Sequence, residues 1–347
     1  MSALGGMKLF RPYTIQSGEG SFPADEDLGI DGYLTTQAKR LATLAGVMQS
    51  FAKARLLLDE MCGWKLDEET IRLVTHAAAK AASAARAPRE DATRFATAGG
   101  EIEVTIDAGK INTRFGWRDV KIGLFLRRFA GLPATPLQWD SRTLPRPTIR
   151  VVVAAVEEAE AFAKRMRTES DRLNATLAGA ISVLGDGAEW IWNLSDAVFP
   201  LADEVLDVYH AVERISDAVK AVWGVDTEAA KSRIAAGRQA ILTRGKLGVE
   251  RWLAETIAEA AAANASTDPL LDAAAYLAKH PTRLDYAERL AEGRSIGSGA
   301  VEGAVKQLLN LRMKRTGARW KVEHVGPLVE LIALSETPEW DAIWTAA

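Results

Sequence analysis

The chain has 347 residues, 48% of them hydrophobic and 26% charged, a balance that excludes a disordered or collagen-like polymer and suggests two or three compact units. Forty-three Lys and Arg against 46 Asp and Glu leave a formal net charge of −3, so no chain-wide basic field marks a nucleic-acid partner, and such a partner would need a local patch. One cysteine, Cys62, excludes an intramolecular disulfide and every zinc site built from two or more thiolates.

Residues 1–20 have neither a basic stretch followed by an apolar core nor a small-residue cleavage site, so no secretory signal is expected. Charge interrupts the most apolar segments within about 12 residues, short of the ~20 a membrane helix needs. The expectation is a soluble, cytoplasmic protein with no membrane partner.

Residues 1–33 are rich in Gly, Pro and acids and show no period, which predicts an irregular lead-in. Residues 34–98 form the next unit. Apolar residues there recur at helical spacing (Leu41, Leu44, Met48; Ala54, Leu58, Met61; Ile71, Val74), broken at Gly46 and Gly63, and predict three short helices. The last two, 50–61 and 67–85, are joined by a Gly-containing turn with the dimensions of a helix-turn-helix. The acids Asp67, Glu68 and Glu69 suit a helix start but repel a phosphate backbone. DNA reading by this unit therefore stands level with a bundle that packs on the rest of the chain or mediates homodimerisation.

Residues 99–216 change texture. Period-two or β-rich runs predict strands at 101–107, 117–127 and 149–153, with Pro133, Pro136, Pro145 and Pro147 in the loop before the third. A helix at 155–173, a strand at 180–185, a helix at 189–199, a strand at 204–208 and a helix opened by His210 follow. Residues 217–293 carry only Ala-rich helical stretches, an all-α insertion. In the last unit, 294–347, the segment 295–302 leads into a long helix to about Arg315, and then into a helical tail with Trp340 and Trp344. No internal repeat of 20 to 50 residues is present.

This order predicts a mixed α/β fold. With three antiparallel strands and a fourth running parallel beside the first, Asp107 and Asp186 come from neighbouring strands, and a helix packed across them adds Glu302. That is the ribonuclease H-like arrangement, here with an all-α insertion and an N-terminal helical domain. Three such carboxylates suit Mg²⁺ or Mn²⁺, which accept oxygen ligands and keep positions open for water and phosphate. Any one of these acids alone is more often a helix cap or a solvated loop residue.

Context strengthens the set. The strings Asp186-Gly-Ala-Glu-Trp-Ile-Trp192, Asp207-Val-Tyr-His210 and Ile296-Gly-Ser-Gly-Ala-Val-Glu302 resemble the signature blocks of bacterial insertion-sequence transposases of the ISKra type, in the Mutator-like group of DDE transposases. Gly116-Trp-Arg-Asp-Val-Lys-Ile-Gly123 and Arg312-Met-Lys-Arg-Thr-Gly-Ala-Arg-Trp320 agree in the same order, and the likeness spans about residues 22 to 320. The resemblance implies that Asp107, Asp186 and Glu302 are metal ligands, and that Asp207 and His210 form the group's D-x-x-H motif, with His210 in a catalytic role. It implies metal-dependent cleavage and strand transfer of double-stranded DNA. The alternative is a transposase-derived DNA-binding or assembly protein that no longer transposes. Members of the family commonly carry a zinc ribbon where this chain has Thr14-Ile-Gln-Ser17-Gly18. Neither thiolate is present, so no zinc is expected there.

Between residues 294 and 321 stand Arg294, Lys306, Arg312, Lys314, Arg315, Arg319 and Lys321 against one acid, Glu302. The bland reading is a solvated helix. The sharper one makes Arg294, Lys306, Arg312, Lys314, Arg315 and Arg319 phosphate contacts beside the metal site, with Ser298 at a helix start that favours an anion. The remaining histidines, His76, His280 and His324, read as structural, and Trp190 and Trp192 as packing residues with base stacking as their alternative.

Overall fold

A computed structural model describes residues 8, 10, 12–16, 19–27, 29–86, 90–177 and 179–345. Ser17 and Gly18, which occupy part of the expected zinc-ribbon position, lie outside the described residues. The N-terminal stretch holds local order that was not anticipated. Strands β1 (Thr14–Gln16) and β2 (Glu19–Ser21) pair, helix α1 (Pro23–Asp27) follows, and β3 (Ile30–Asp31) pairs with β4 (Leu34–Thr35). Strands of two or three residues are too short to show a period.

Three helices follow as expected: α2 (Thr36–Met48), α3 (Phe51–Cys62) and α4 (Glu68–Ala84). Side chains cap each N-terminus, Thr35 accepting from Ala38 N–H, Ser50 from Lys53 N–H and Asp67 from Thr70 N–H. Gly63 ends α3 in the left-handed region, at φ 65°. Gly46 is not a break. It lies inside α2, where a Cβ would collide with the Thr75 side chain, so it lets α2 approach α4. A fourth helix, α5 (Asp91–Thr97), went unread because seven residues span only two turns.

The sheet begins with β5 (Glu101–Thr113), β6 (Gly116–Arg128) and β7 (Ile149–Ala155). Helix α6 (Ala159–Arg172), β8 (Ile181–Gly185), α7 (Glu189–Val198), β9 (Asp203–Leu206) and α8 (Val208–Trp223) alternate after it. The strand order is β7-β6-β5-β8-β9, antiparallel across the first three and parallel from β5 to β8 and β9. The molecule is thus mixed α/β around a five-stranded mixed sheet. Alternation sorts its two faces. Ile102, Val104, Ile106 and Phe125 face one core with Phe162, Met166 and Ile191, while Ile122, Leu124 and Leu126 face a second core.

Helices α9 (Glu228–Ala262), α10 (Asp268–Ala278) and α11 (Tyr286–Ala291) supply the helical region after the sheet, and position 217 falls inside α8 rather than at an element boundary. Gly245, at φ 52° and ψ −131°, kinks α9 where a Cβ would lie 2.8 Å from the Leu284 carbonyl oxygen. The expected long helix to Arg315 is shorter. Helix α12 (Gly299–Ala304) passes into a π-helical stretch (Val305–Asn310), and a turn follows at Leu311–Met313. Helix α13 (Val322–Leu334) fills the second core with Val325, Leu328, Val329 and Ile332, and α14 (Glu339–Thr345) carries Trp340 and Trp344. Each such aliphatic burial is worth about 1.5–3 kcal/mol. No helix among the described residues is long and apolar enough to cross a membrane.

A buried ion network ties the end of α4 to α5, α6 and α13. Arg86, just past α4, donates to both oxygens of Glu169 on α6 (2.8 and 2.9 Å) and lies 2.9 Å from Glu330 on α13. Arg172 joins Glu169 and Asp91, each at 2.6 Å. Burial pushes the Glu169 carboxyl up, but the guanidiniums of Arg172 and Arg86 outweigh it and bring it down to about 2. Replacing Glu169 by Ala leaves Arg86 with Glu330 and Arg172 with Asp91 as their remaining partners, and urea unfolding at pH 7 should show a loss of about 2–3 kcal/mol. Because the folded carboxyl titrates below its ordinary 4.5, its stabilisation is full above that value and disappears as pH falls toward 2. The gap between wild type and variant should therefore narrow in acid.

Candidate active site

Register places the candidate acids. Ile106 of β5 stands opposite Gly185 of β8, and Gly185 opposite Leu206 of β9. The next residue in each case is an aspartate: Asp107 within β5, Asp186 just past β8 and Asp207 just past β9. Parallel neighbours sit ~4.8 Å apart and share a face at equal register, so the three form one row. Asp107 is not at the end of its strand, which runs on to Thr113. It lies where the parallel neighbour β8 stops and only the antiparallel pairing with β6 continues.

The three aspartates have different surroundings. Asp107 is partly buried, and burial pushes its carboxyl up to about 6; the charges of Asp186 and Glu302 add to the rise, while the Ala108 N–H and His210 oppose it. Asp186 accepts from Ala188 N–H at 2.9 Å, and its carbonyl accepts from the Tyr276 hydroxyl at 2.9 Å. Gly187, at φ 94°, turns the chain directly under the Tyr276 ring, where a Cβ would collide with it.

Asp207 is fully buried and spends both oxygens on the protein. Oδ1 accepts from the N–H groups of Tyr209 (2.7 Å) and His210 (3.1 Å), capping α8, and lies 3.3 Å from His210 Nδ1. Oδ2 accepts from the Ser298 hydroxyl at 2.8 Å and from the Ser298 N–H. The loop 295–298 is pinned elsewhere too: the Ser295 hydroxyl donates to Glu103 at 2.6 Å, Arg289 donates to the Ser295 carbonyl at 2.7 Å, and Val208 N–H donates to the Ile296 carbonyl at 3.0 Å. This loop launches α12, so Asp207 fixes where Glu302 stands. The hydrogen bond that His210 donates to Asp207 raises the imidazole to about 9 against the effect of burial, with the charges of Asp207, Asp186 and Glu302 contributing. Burial and the Asp207 charge raise the Glu302 carboxyl.

Donor atoms of Asp207, His210 and Glu302 lie within 4.8 Å of one another, a spacing a metal ion could bridge. Asp207 is the least available of the three, because its lone pairs are already taken. Asp107, His210 and Glu302 line one open cleft, together with Tyr209, Glu213 and Lys220. Asp186 is next to Asp107 in the row. Asp107 and Asp186 are not part of the Asp207–His210–Glu302 cluster: Asp107 shares the cleft with Glu302 and His210, and Asp186 is not among the residues that line it. All three expected ligands are hard oxygen donors of the kind Mg²⁺ or Mn²⁺ accepts.

The expected phosphate contacts divide. Arg294 is committed internally, to Glu101 (3.0 Å), Asp203 (3.1 Å), Glu292 (3.2 Å) and the Ser182 hydroxyl (2.9 Å). Arg312 is buried, donates to the Gly46 carbonyl at 2.9 Å and sits between the rings of Phe51 and Trp320; burial pushes it down to about 10. The Ser298 N–H and hydroxyl serve Asp207. These three are corrected from ligand contacts to internal anchors. Lys306, Lys314, Arg315 and Arg319 are exposed and have no ion-pair partner among the described residues.

Helix α4 buries Ile71, Thr75 and Ala79, packs on α2 and α13, and ties Arg72 to Glu69, as a bundle member would. His76 and His324, far apart in sequence, stack at 4.1 Å beside Phe51 and Trp320, and His280 packs on Trp192 and Tyr276. Trp192 is buried under Arg283 and Trp190 packs on Phe162, so both act as packing residues. Tyr276 and the full role of Asp207 escaped the sequence reading. An aspartate directly after each of the apolar runs 181–185 and 204–206, as after 102–106, was the signal available for the latter.

Comparison with known proteins finds no matching family model and no matching curated protein.

Asp107 offers a direct test. Its folded carboxyl titrates above the ordinary 3.8, so the protonated form stabilises the metal-free protein at low pH and that contribution is lost as pH rises through about 6. Asp107→Asn should raise the melting temperature of metal-free protein at pH 8 by a few degrees, about 1–2 kcal/mol, and leave it nearly unchanged at pH 4. Scanning fluorimetry at the two pH values reads the difference.

Proposed function

We propose that the chain is a DDE-type transposase with a ribonuclease H-like core, which cleaves a phosphodiester at a DNA end and directs the freed 3′-hydroxyl at target DNA. The observation that carries the reading is the placement of Asp107 and Asp186 directly after paired residues of the adjacent parallel strands β5 and β8, with α12 bringing Glu302 to the cleft that Asp107 and His210 line. The likeness of the sequence blocks to ISKra-type transposases agrees with it.

Mg²⁺ or Mn²⁺ held by Asp107, Asp186 and Glu302 would supply an activated water and neutralise charge on the phosphate. The chain's own residues do the rest. Asp207 holds His210 through Nδ1, leaving Nε2 as the nitrogen free to donate to a phosphate oxygen in the cleft. Lys306, one helical turn after Glu302, offers a cation to the same backbone. Thr14 and Ser17 in place of thiolates favour a second reading, a transposase-derived DNA-binding protein that keeps the core without transposing.

Asp107→Ala, Asp186→Ala and Glu302→Ala should each abolish Mg²⁺-dependent nicking of the element's own ends while retaining DNA affinity, and His210→Ala should slow it by on the order of 10²-fold. Gel assays of nicked product decide the matter. Undiminished nicking by any acid variant removes that residue from the mechanism, and no nicking by wild type favours the second reading.

A further inference from the structure

Beyond Asp107 the β5–β6 hairpin runs on past the parallel part of the sheet, carrying Lys110, Arg114 and Arg118, all exposed. Its apex is the two-residue turn Arg114-Phe115, closed by Gly116 at φ 90°. Phe115 and Trp117 stand 76% and 61% exposed there. Large aromatic surfaces left in water among cations are the composition of a nucleic-acid contact rather than of a core.

The hairpin is held against the other basic segment. Asn112 and Arg114 exchange main-chain hydrogen bonds with Trp320 (3.0 and 2.9 Å), Thr113 pairs with Trp320, and the Trp320 indole donates to the Met313 carbonyl at 3.0 Å. Lys314, Arg315 and Arg319 are thereby brought beside the apex. Neither group of cations is neutralised by ion pairs among the described residues. The acids nearest in register or sequence are Asp119, opposite Lys110, and Glu323, 3.9 Å from Lys321.

We infer that the β5–β6 apex and residues 314–321 form one preorganised docking surface for duplex DNA, in which the cations take phosphates and Phe115 and Trp117 lie against sugar and base edges. Its orientation, though not its existence, rests on the phosphodiester-cleaving reading of the acid row. The six steps along the strand from Asp107 to Thr113 span about 20 Å at ~3.4 Å each, so the surface meets the duplex about six base pairs from the cleft.

The test uses the full chain, a fluorescent duplex three helical turns long, EDTA and a salt titration read by anisotropy. Arg114→Ala/Arg118→Ala and Arg315→Ala/Arg319→Ala should each reduce the slope of log affinity against log salt by about 2, and weaken binding more than tenfold at low salt. Melting temperatures should stay unchanged, since all four side chains are exposed. Unchanged slope and affinity in both double variants overturn the surface, as does binding to phosphatidylserine vesicles with none to the duplex. The two proposals fail separately. Loss of duplex binding in the double variants, with no nicking by wild type, keeps the surface and rejects the transposase. Normal nicking and normal binding by both double variants reject the surface alone.

Discussion

Ile106, Gly185 and Leu206 stand opposite one another across three parallel strands, and the placement of Asp107, Asp186 and Asp207 follows from that row. A slip of one residue in either pairing would send one of the following aspartates to the opposite face of the sheet. The flanking sequence guards against it. Ile102, Val104 and Ile106 fill one core with Ile181, Val183 and Leu184, while Glu103 is buried with Ser295 and Arg128 as partners, so a slip would put Glu103 and Thr105 among the aliphatics and strip Glu103 of those partners. Positioning of the carboxylates is thus secured by hydrophobic burial, a force with no direction of its own, made directional by strand alternation.

The helix that brings Glu302 is secured by different means. Polar groups around Asp207, Ser295, Ser298 and Arg289 are buried and satisfied by one another. Such a network contributes little net stability, but an unmade bond within it is costly, which penalises alternative loop positions. The acid cleft therefore combines a wall set by the sheet register with a wall set by hydrogen bonds. The first accounts for Asp107 and Asp186, the second for Glu302 and His210.

Strand order and the succession of helices were readable because period-two runs such as 101–107 and apolar runs such as 180–185 differ plainly from 3.6-residue spacing. Asp107 and Asp186 were readable because each follows such a run. What escaped depended on contacts distant in sequence. The turn role assigned to Gly46 failed because its partner, Thr75, lies on another helix. Arg312 read as a surface cation because nothing local announces that Phe51 and Trp320 will enclose it, and Arg294 because Glu101 and Asp203 are supplied by the sheet. The hairpin beyond Asp107 was cut short in the reading because a weakly alternating stretch gains its order from pairing with β6 and from Trp320. Charge composition alone does not separate anchors from contacts; burial does.

The π-helical stretch Val305–Asn310 carries a consequence for how one segment performs two tasks. Leu311 N–H reaches back to the Lys306 carbonyl and Lys314 N–H to Leu309, each five residues away. Each such turn holds one more residue than an α-turn and advances the side chains to a different azimuth. Uninterrupted α pitch from Glu302 would have set Arg312 and Arg315 one above the other on a common stripe. With the wider winding and the turn that follows it, Arg312 enters the interior and clasps the N-terminal bundle, while Arg315 stays in solvent. One short basic string is thereby split into a mechanical fastener and a free charge, and the segment that follows Glu302 is coupled to the bundle through the Gly46 carbonyl.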